Sequence, residues 1–274
     1  GELKNDRIRE CLRLVGIEGR VEVVSISDVP SSGTGLGSSS SFTVALLHAL
    51  HAFQGTYVSA ERLAREACEV EIERCGCPIG KQDQVIAAHG GLQFIEFLPD
   101  GAVRVEPVIC LPSTRSTLQA SLLLFYTGVT RSADGILTEQ RANTVGSAET
   151  RAVLADMADL ARAGRTALCA NQPDDLGRLL HQGWMLKRRV ASGVSNLQID
   201  DLYARGMRHG ALGGKLLGAG GGGFLLFYAP PDAHAGIIGE LAELRLTPFT
   251  IGAPGSQIVF YDPRPTTLDA RAKV

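Results

Sequence analysis

The stretch Pro30-Ser-Ser-Gly-Thr-Gly-Leu-Gly-Ser-Ser-Ser-Ser41 decides how the rest of the chain is read. It follows a β-branched run, Val21 to Ile26 (VEVVSI), which predicts a strand ended by Asp28, Val29 and Pro30. It precedes Phe42 to Phe53, apolar nearly all round, which predicts a helix buried on most of its sides. Glycines let such a loop turn its backbone N–H groups inward. The helix N-terminus adds a partial positive charge, so the assembly suits a phosphate chain, and its hydroxyls can meet a metal ion. No Lys-Ser or Lys-Thr pair ends the loop, which excludes a Walker P-loop, and Gly33, Gly35 and Gly37 lack the spacing of the dinucleotide fingerprint. A plain Gly/Ser loop capping a helix is the alternative that these residues leave open.

A second glycine cluster, Leu217-Gly-Ala-Gly-Gly-Gly-Gly-Phe224, formally matches G-x-G-x-x-G. A strand-like run, Phe224 to Tyr228, follows where a Rossmann motif demands a helix, so that reading fails. Four consecutive glycines carry a high conformational entropy cost, which close backbone approach to a ligand or to the first loop would explain. A third cluster, Pro78-Ile-Gly-Lys-Gln-Asp-Gln84, follows Glu69, Glu71 and Glu73 on a helix expected from about Ser59 to Arg74. An isolated Asp at a helix start commonly caps it. Beside two glycine loops, Asp83 is also a candidate base for a hydroxyl nucleophile, and a Glu on the neighbouring helix a candidate magnesium ligand.

Further along, Asp83 to His89 predicts a short helix stopped at Gly90-Gly91, and Leu92–Phe97 with Ala102–Val108 a hairpin around Pro99-Asp100-Gly101. Leu122 to Tyr126 predicts a buried strand, and residues from about Asp134 to His181 and Asp201 to His209 read as helical. Phe224–Tyr228, a helix near Ala233–Leu244 and a strand at Ser256–Tyr261 complete the pattern. The expected boundary lies near residue 115, dividing the chain into 1–115 and 116–274.

The 274 residues are 45% hydrophobic and 20% charged, which excludes a disordered or fibrous chain. With 27 Lys plus Arg against 29 Asp plus Glu there is no broad cationic surface for nucleic acid or anionic lipid. No apolar run approaches the ~20 residues of a bilayer helix and no signal peptide pattern opens the chain, so a cytoplasmic protein without membrane partners is expected. The six cysteines form no Cys-x-x-Cys pair and read as reduced thiols.

PSSGTGLGSSSSF, PIGKQDQ and LGAGGGGF stand in the order and at about the separations seen in the GHMP family of small-molecule kinases, which the chain resembles over essentially its whole length. Within that family, the wording EIERCGCPIGKQDQVIAAHGGLQFIEF and WMLKRRVASGVSNLQIDDLYARGMRHGALGGKLLGAGGGGFLLFY is most similar to the heptose 7-phosphate kinases. The resemblance implies an α/β (α+β two-layer) fold, with an N-terminal domain like ribosomal S5 domain 2 and a ferredoxin-like C-terminal domain. It implies ATP and Mg²⁺ as cofactors and a small-molecule sugar phosphate as the partner. The nucleotide phosphates would lie on Gly33, Gly35, Leu36, Gly37, Ser38, Ser39 and Ser40, with Gly220, Gly221 and Gly222 shaping the cradle and Gly220 also facing the substrate. Ser39 and Glu71 match the magnesium ligands and Asp83 the catalytic aspartate, which also touches the substrate. The product would be heptose 1,7-bisphosphate. Two departures stand out: the first loop has one more residue between Pro30 and Gly35 than the usual family wording, and the family's N-terminal first motif is absent. The chain is therefore expected to be an N-terminally truncated kinase.

Arg131 is a candidate for the sugar's distal phosphate, because a bound dianion needs fixed cations. Lys187-Arg188-Arg189 could serve likewise, although such a run is usually a solvated helix face. His48 and His51, at i and i+3 on an apolar helix with no third ligand, read as core histidines, and Cys75 and Cys77 as loop thiols. Two other functions fit the same motifs: phosphorylation of another sugar of the fucose, arabinose or galactose type, and a non-catalytic sugar or nucleotide sensor. Retention of Ser39, Glu71 and Asp83 argues against the sensor.

Overall fold

The computed structural model describes residues 4–19, 21–28, 35–129 and 133–263. They divide into two units: the described residues of Gly1–Ser25, Ser39–Gly90 and Pro254–Val274, and those of Ile26–Ser38 and Gly91–Ala253.

In the first unit, α1 (Asp6–Val15) starts where the Asn5 side chain accepts the Ile8 N–H and stops at Gly16, whose φ of 77° closes the last turn. α2 (Ser38–Phe53) begins four residues before the expected Phe42, taking in the serines, and buries Val44, Leu46, Leu47 and Leu50. α3 (Ala60–Cys68) is capped by Ser59. The single helix expected to Arg74 instead changes winding into a π turn, Glu69–Arg74. Leu63, Ala67 and Val70 are buried as one helical face requires, and Glu71 beside Val70 is buried too. α4 (Gln82–His89) ends at Gly90 as expected.

Two expected strands are not formed. Val24 and Ile26 are 77% and 92% exposed, Val259 and Phe260 94% and 81%, and neither run pairs with a strand among the described residues. β-branched side chains suit a pleated surface, but a ladder requires a partner strand to complete it.

In the second unit, β1 (Gln93–Phe97) and β2 (Val103–Pro107) form the expected hairpin, with Asp100 accepting the Ala102 N–H in the turn. α5 (Pro112–Ala120) follows, Pro112 standing in its first turn where no N–H is needed. Then come β3 (Leu122–Tyr126), α6 (Asp134–Gly146), α7 (Ala148–Cys169), α8 (Pro173–Lys187), α9 (Leu197–Arg208), β4 (Gly213–Leu216), β5 (Phe224–Tyr228), α10 (His234–Glu240) and β6 (Arg245–Leu246). The antiparallel sheet has order β4-β5-β3-β6, with Phe125 opposite Leu225 and Leu225 opposite Leu216. Its core gathers Phe125, Trp184, Val194, Ile199, Leu216, Leu225 and Phe227. β4 reads poorly as a strand because it opens Gly213-Gly214. The structure supplies the reason: a Cβ on Gly213 would stand 1.9 Å from the Gly177 carbonyl of α8. No helix among the described residues is long and apolar enough to cross a membrane, and no disulfide joins any of the six cysteines.

Candidate active site

Glu71 is fully buried in the first unit, and protein donors occupy both of its oxygens. Arg7 Nε on α1 donates to Oε1 at 2.8 Å, while the Ser40 hydroxyl of α2 and the Gln84 side-chain amide of α4 each donate to Oε2 at 2.7 Å. Three elements thus converge on a carboxylate carried by a fourth. Desolvation pulls the Arg7 guanidinium down, but the hydrogen bond and charge of Glu71 outweigh it and raise its pKa. Arg7 and Gln84 escaped the reading of the sequence. The only local signal for either was the polar wording of Lys81-Gln-Asp-Gln84.

Asp83 is the second residue of α4, after an N-cap, Lys81, that makes no side-chain cap hydrogen bond. It is therefore not the cap. Its surface is open to solvent, yet the protein around it thins its hydration, and this desolvation followed by the charge of Glu71 pushes its carboxyl above the usual range. Ser39 is half-buried, and its carbonyl accepts the Thr43 hydroxyl. The hydroxyl on Glu71 belongs to the next residue, Ser40.

Among the described residues no three His, Cys, Asp or Glu side chains gather as a metal site. Magnesium asks less of a protein, usually one or two carboxylates beside waters and substrate phosphates. The Glu71 cluster offers hard oxygen donors, and the buried Gln84 Oε1 has no hydrogen-bond partner. Ser40 Oγ and Glu71 Oε2 are 2.7 Å apart, near the edge of about 2.9 Å between adjacent oxygens of a magnesium octahedron. These residues fit the ion.

In the second unit the first glycine loop meets the second. Gly35 (φ +74°) and Gly218 (φ +70°) lie so close that a Cβ on Gly218 would be 2.4 Å from Gly35 Cα. The rest of the tract is threaded through the unit: Gly221 N–H donates to Val194 O at 3.1 Å and Gly223 N–H to Val129 O at 2.7 Å. A Cβ on Gly220 would strike Val194 backbone at 2.6 Å, and one on Gly222 the Val129 carbonyl at 2.6 Å. Gly33 and Arg131 lie outside the described residues. His51 is buried against Glu66 at 2.6 Å, whereas His48 is only half-buried and pairs with Ser256 at 2.9 Å.

Two family descriptions match this chain: GHMP kinases N terminal domain over residues 6–91, which hold Gly35, Glu71 and Asp83, and GHMP kinases C terminal over 165–243, which hold the second glycine tract. The chain belongs to the GHMP kinase family. This GHMP chain is 32% identical over 217 residues to the D-glycero-alpha-D-manno-heptose 7-phosphate kinase of Campylobacter jejuni, covering 79% of itself and 63% of that protein. It is 31% identical over 205 residues to a bifunctional fucokinase/GDP-fucose pyrophosphorylase of Arabidopsis thaliana, covering 72% of itself and 19% of the relative. Among solved structures, a putative sugar kinase from Campylobacter jejuni superposes with a TM-score of 0.71 at 27% identity, over 93% of this chain and 75% of that one. The chain therefore spans less than two thirds of the length of both of these sequence relatives.

Proposed function

We propose that this GHMP chain carries the chemistry of a sugar kinase that transfers the γ-phosphoryl group of ATP to the anomeric hydroxyl of D-glycero-D-manno-heptose 7-phosphate, giving the 1,7-bisphosphate. The observation that carries the reading is the fully buried Glu71, held by Arg7, Ser40 and Gln84, with the raised carboxyl of Asp83 one residue from that Gln84. In this reading, backbone N–H groups from Gly33 to Ser40 at the α2 N-terminus cradle the nucleotide phosphates. The Gly220–Gly222 segment shapes that cradle, its Gly221 N–H being engaged by Val194. Glu71, with Ser39 and Ser40 as the hydroxyl candidates, holds Mg²⁺. Bound magnesium would supply charge neutralisation to the transferring phosphoryl group. Asp83 accepts the proton of the anomeric hydroxyl as its oxygen bonds to the γ-phosphorus and the bond to the ADP oxygen breaks. Arg131 holds the distal phosphate. The six cysteines without a disulfide support a reducing, cytoplasmic setting.

A second reading keeps the reaction and changes the acceptor to a free sugar, and similarity to the plant fucokinase favours it. A coupled assay for ADP release, with heptose 7-phosphate, unphosphorylated heptose and fucose as acceptors, separates the two. Preference for the 7-phosphate by ten-fold or more supports the heptose phosphate reading. Equal use of a free sugar overturns it, and ADP release with none of them points to the sensor.

A further inference from the structure

Lys187 is the last residue of α8, and its ammonium group donates to the carbonyl of Gly218, the residue that touches Gly35. Lys215 lies on β4, three residues before that same glycine, and β4 packs directly on α8, where a Cβ on Gly213 would stand 2.8 Å from His181 N, so its charge acts on Lys187. Neighbouring arginines are matched with carboxylates: Arg188 with Asp200 at 2.6 Å and Arg189 with Glu149 at 3.0 Å. Neither lysine has such a partner among the described residues, and loss of water is the dominant influence on both. One hydrogen bond tacking a helix end to a loop accounts for one lysine. It does not account for a second ammonium group placed beside the first with no anion between them, an arrangement that self-repulsion and desolvation both disfavour.

We propose that Lys187 and Lys215 form a phosphate site at the edge of the second glycine loop. The dianion of a phosphate group supplies the missing countercharge, and an ammonium already directed at the loop by Gly218 costs little rearrangement. Two phosphates could fill it, the nucleotide's chain or the distal phosphate of the sugar; that choice of substrate rests on the kinase reading above. Loss of water, then Lys215, pulls Lys187 down to about 7, so without an anion part of it is the free, acylatable amine at neutral pH, and a bound dianion would hold it protonated.

Brief acetylation of the full chain at pH 7.5, read by mass spectrometry at Lys187, tests the site without requiring turnover. Inorganic tripolyphosphate represents the nucleotide's chain and glucose 6-phosphate the sugar phosphate. The expected result is that one of them slows acetylation of Lys187 at least ten-fold, identifying the source. K187M and K215M should each weaken binding of that same probe by about 10- to 100-fold, with K187R closer to the parent. Protection by neither probe, or unchanged binding in both methionine variants, overturns the proposal. Should K187M fail to fold, protection of the unmodified chain and K215M still decide. Protection without any heptose phosphorylation would overturn the heptose reading and leave the phosphate site standing.

Discussion

Gly35 and Gly218 meet backbone to backbone: a Cβ on Gly35 would lie 2.7 Å from the Leu217 carbonyl, and one on Gly218 2.4 Å from Gly35 Cα. Both have positive φ, so side chains are opposed by space and by backbone conformation together. Gly218→Ala is expected to destabilise the second unit by roughly 2–4 kcal/mol, and Gly35→Ala by a similar amount. Because both strain one contact, the double variant should fall short of the sum. Denaturant unfolding of the three variants checks this, and strict additivity would count against a shared contact.

Arg7→Ala leaves a fully buried carboxylate without its cation. Breaking a buried pair from one side costs about 3–5 kcal/mol, and since the Arg7 side chain is 33% exposed the expected loss is nearer 2–3 kcal/mol. Arg7→Ala combined with Glu71→Gln should recover part of the loss, because the unpaired charge is gone. Thermal midpoints of the single and double variants measure it.

Asp83→Asn keeps size and polarity on an exposed helix position, so the chain should fold normally. Turnover is expected to drop by about 10²–10⁴-fold with ATP binding retained. Near-normal turnover would remove Asp83 from the mechanism.

Lys187 gives stability a pH dependence of definite sign. Its folded value is about 7 and its unfolded value about 10.4, so between them the unfolded chain binds more protons and stability rises with pH. Below pH 7 both states are protonated and the slope vanishes. The midpoint of the parent chain relative to K187M should therefore climb from pH 7 to 9. Parallel curves would mean that the amine is ordinarily solvated.

The local motifs were the legible part of this protein. The Gly35–Ser40 loop, Glu71, Asp83 and the Gly218–Gly223 tract stand out in the sequence, because backbone freedom and helix starts leave a mark within a few residues. Arg7 was not, since its partner lies 64 residues away, nor was the Ser40 contact at a separation of 31. The Lys187-Arg188-Arg189 run reads as a solvated face, and two of its residues are exposed and paired. Successive helical residues diverge by about 100° around the axis, so the third could turn inward onto Gly218.

Sequence alone, then, determined that this is a GHMP chain with two glycine loops and an acid at the start of α4, because spacing along the backbone encodes those features directly. Only the tertiary structure decided that Glu71 is buried among Arg7, Ser40 and Gln84, that Gly35 and Gly218 interlock, and that Lys187 turns onto Gly218. It also decided that neither Val21–Ile26 nor Ser256–Tyr261 joins a strand among the described residues, despite their strand-like composition. Burial, pairing and charge balance depend on residues brought together from distant parts of the chain, and no local pattern records which ones meet.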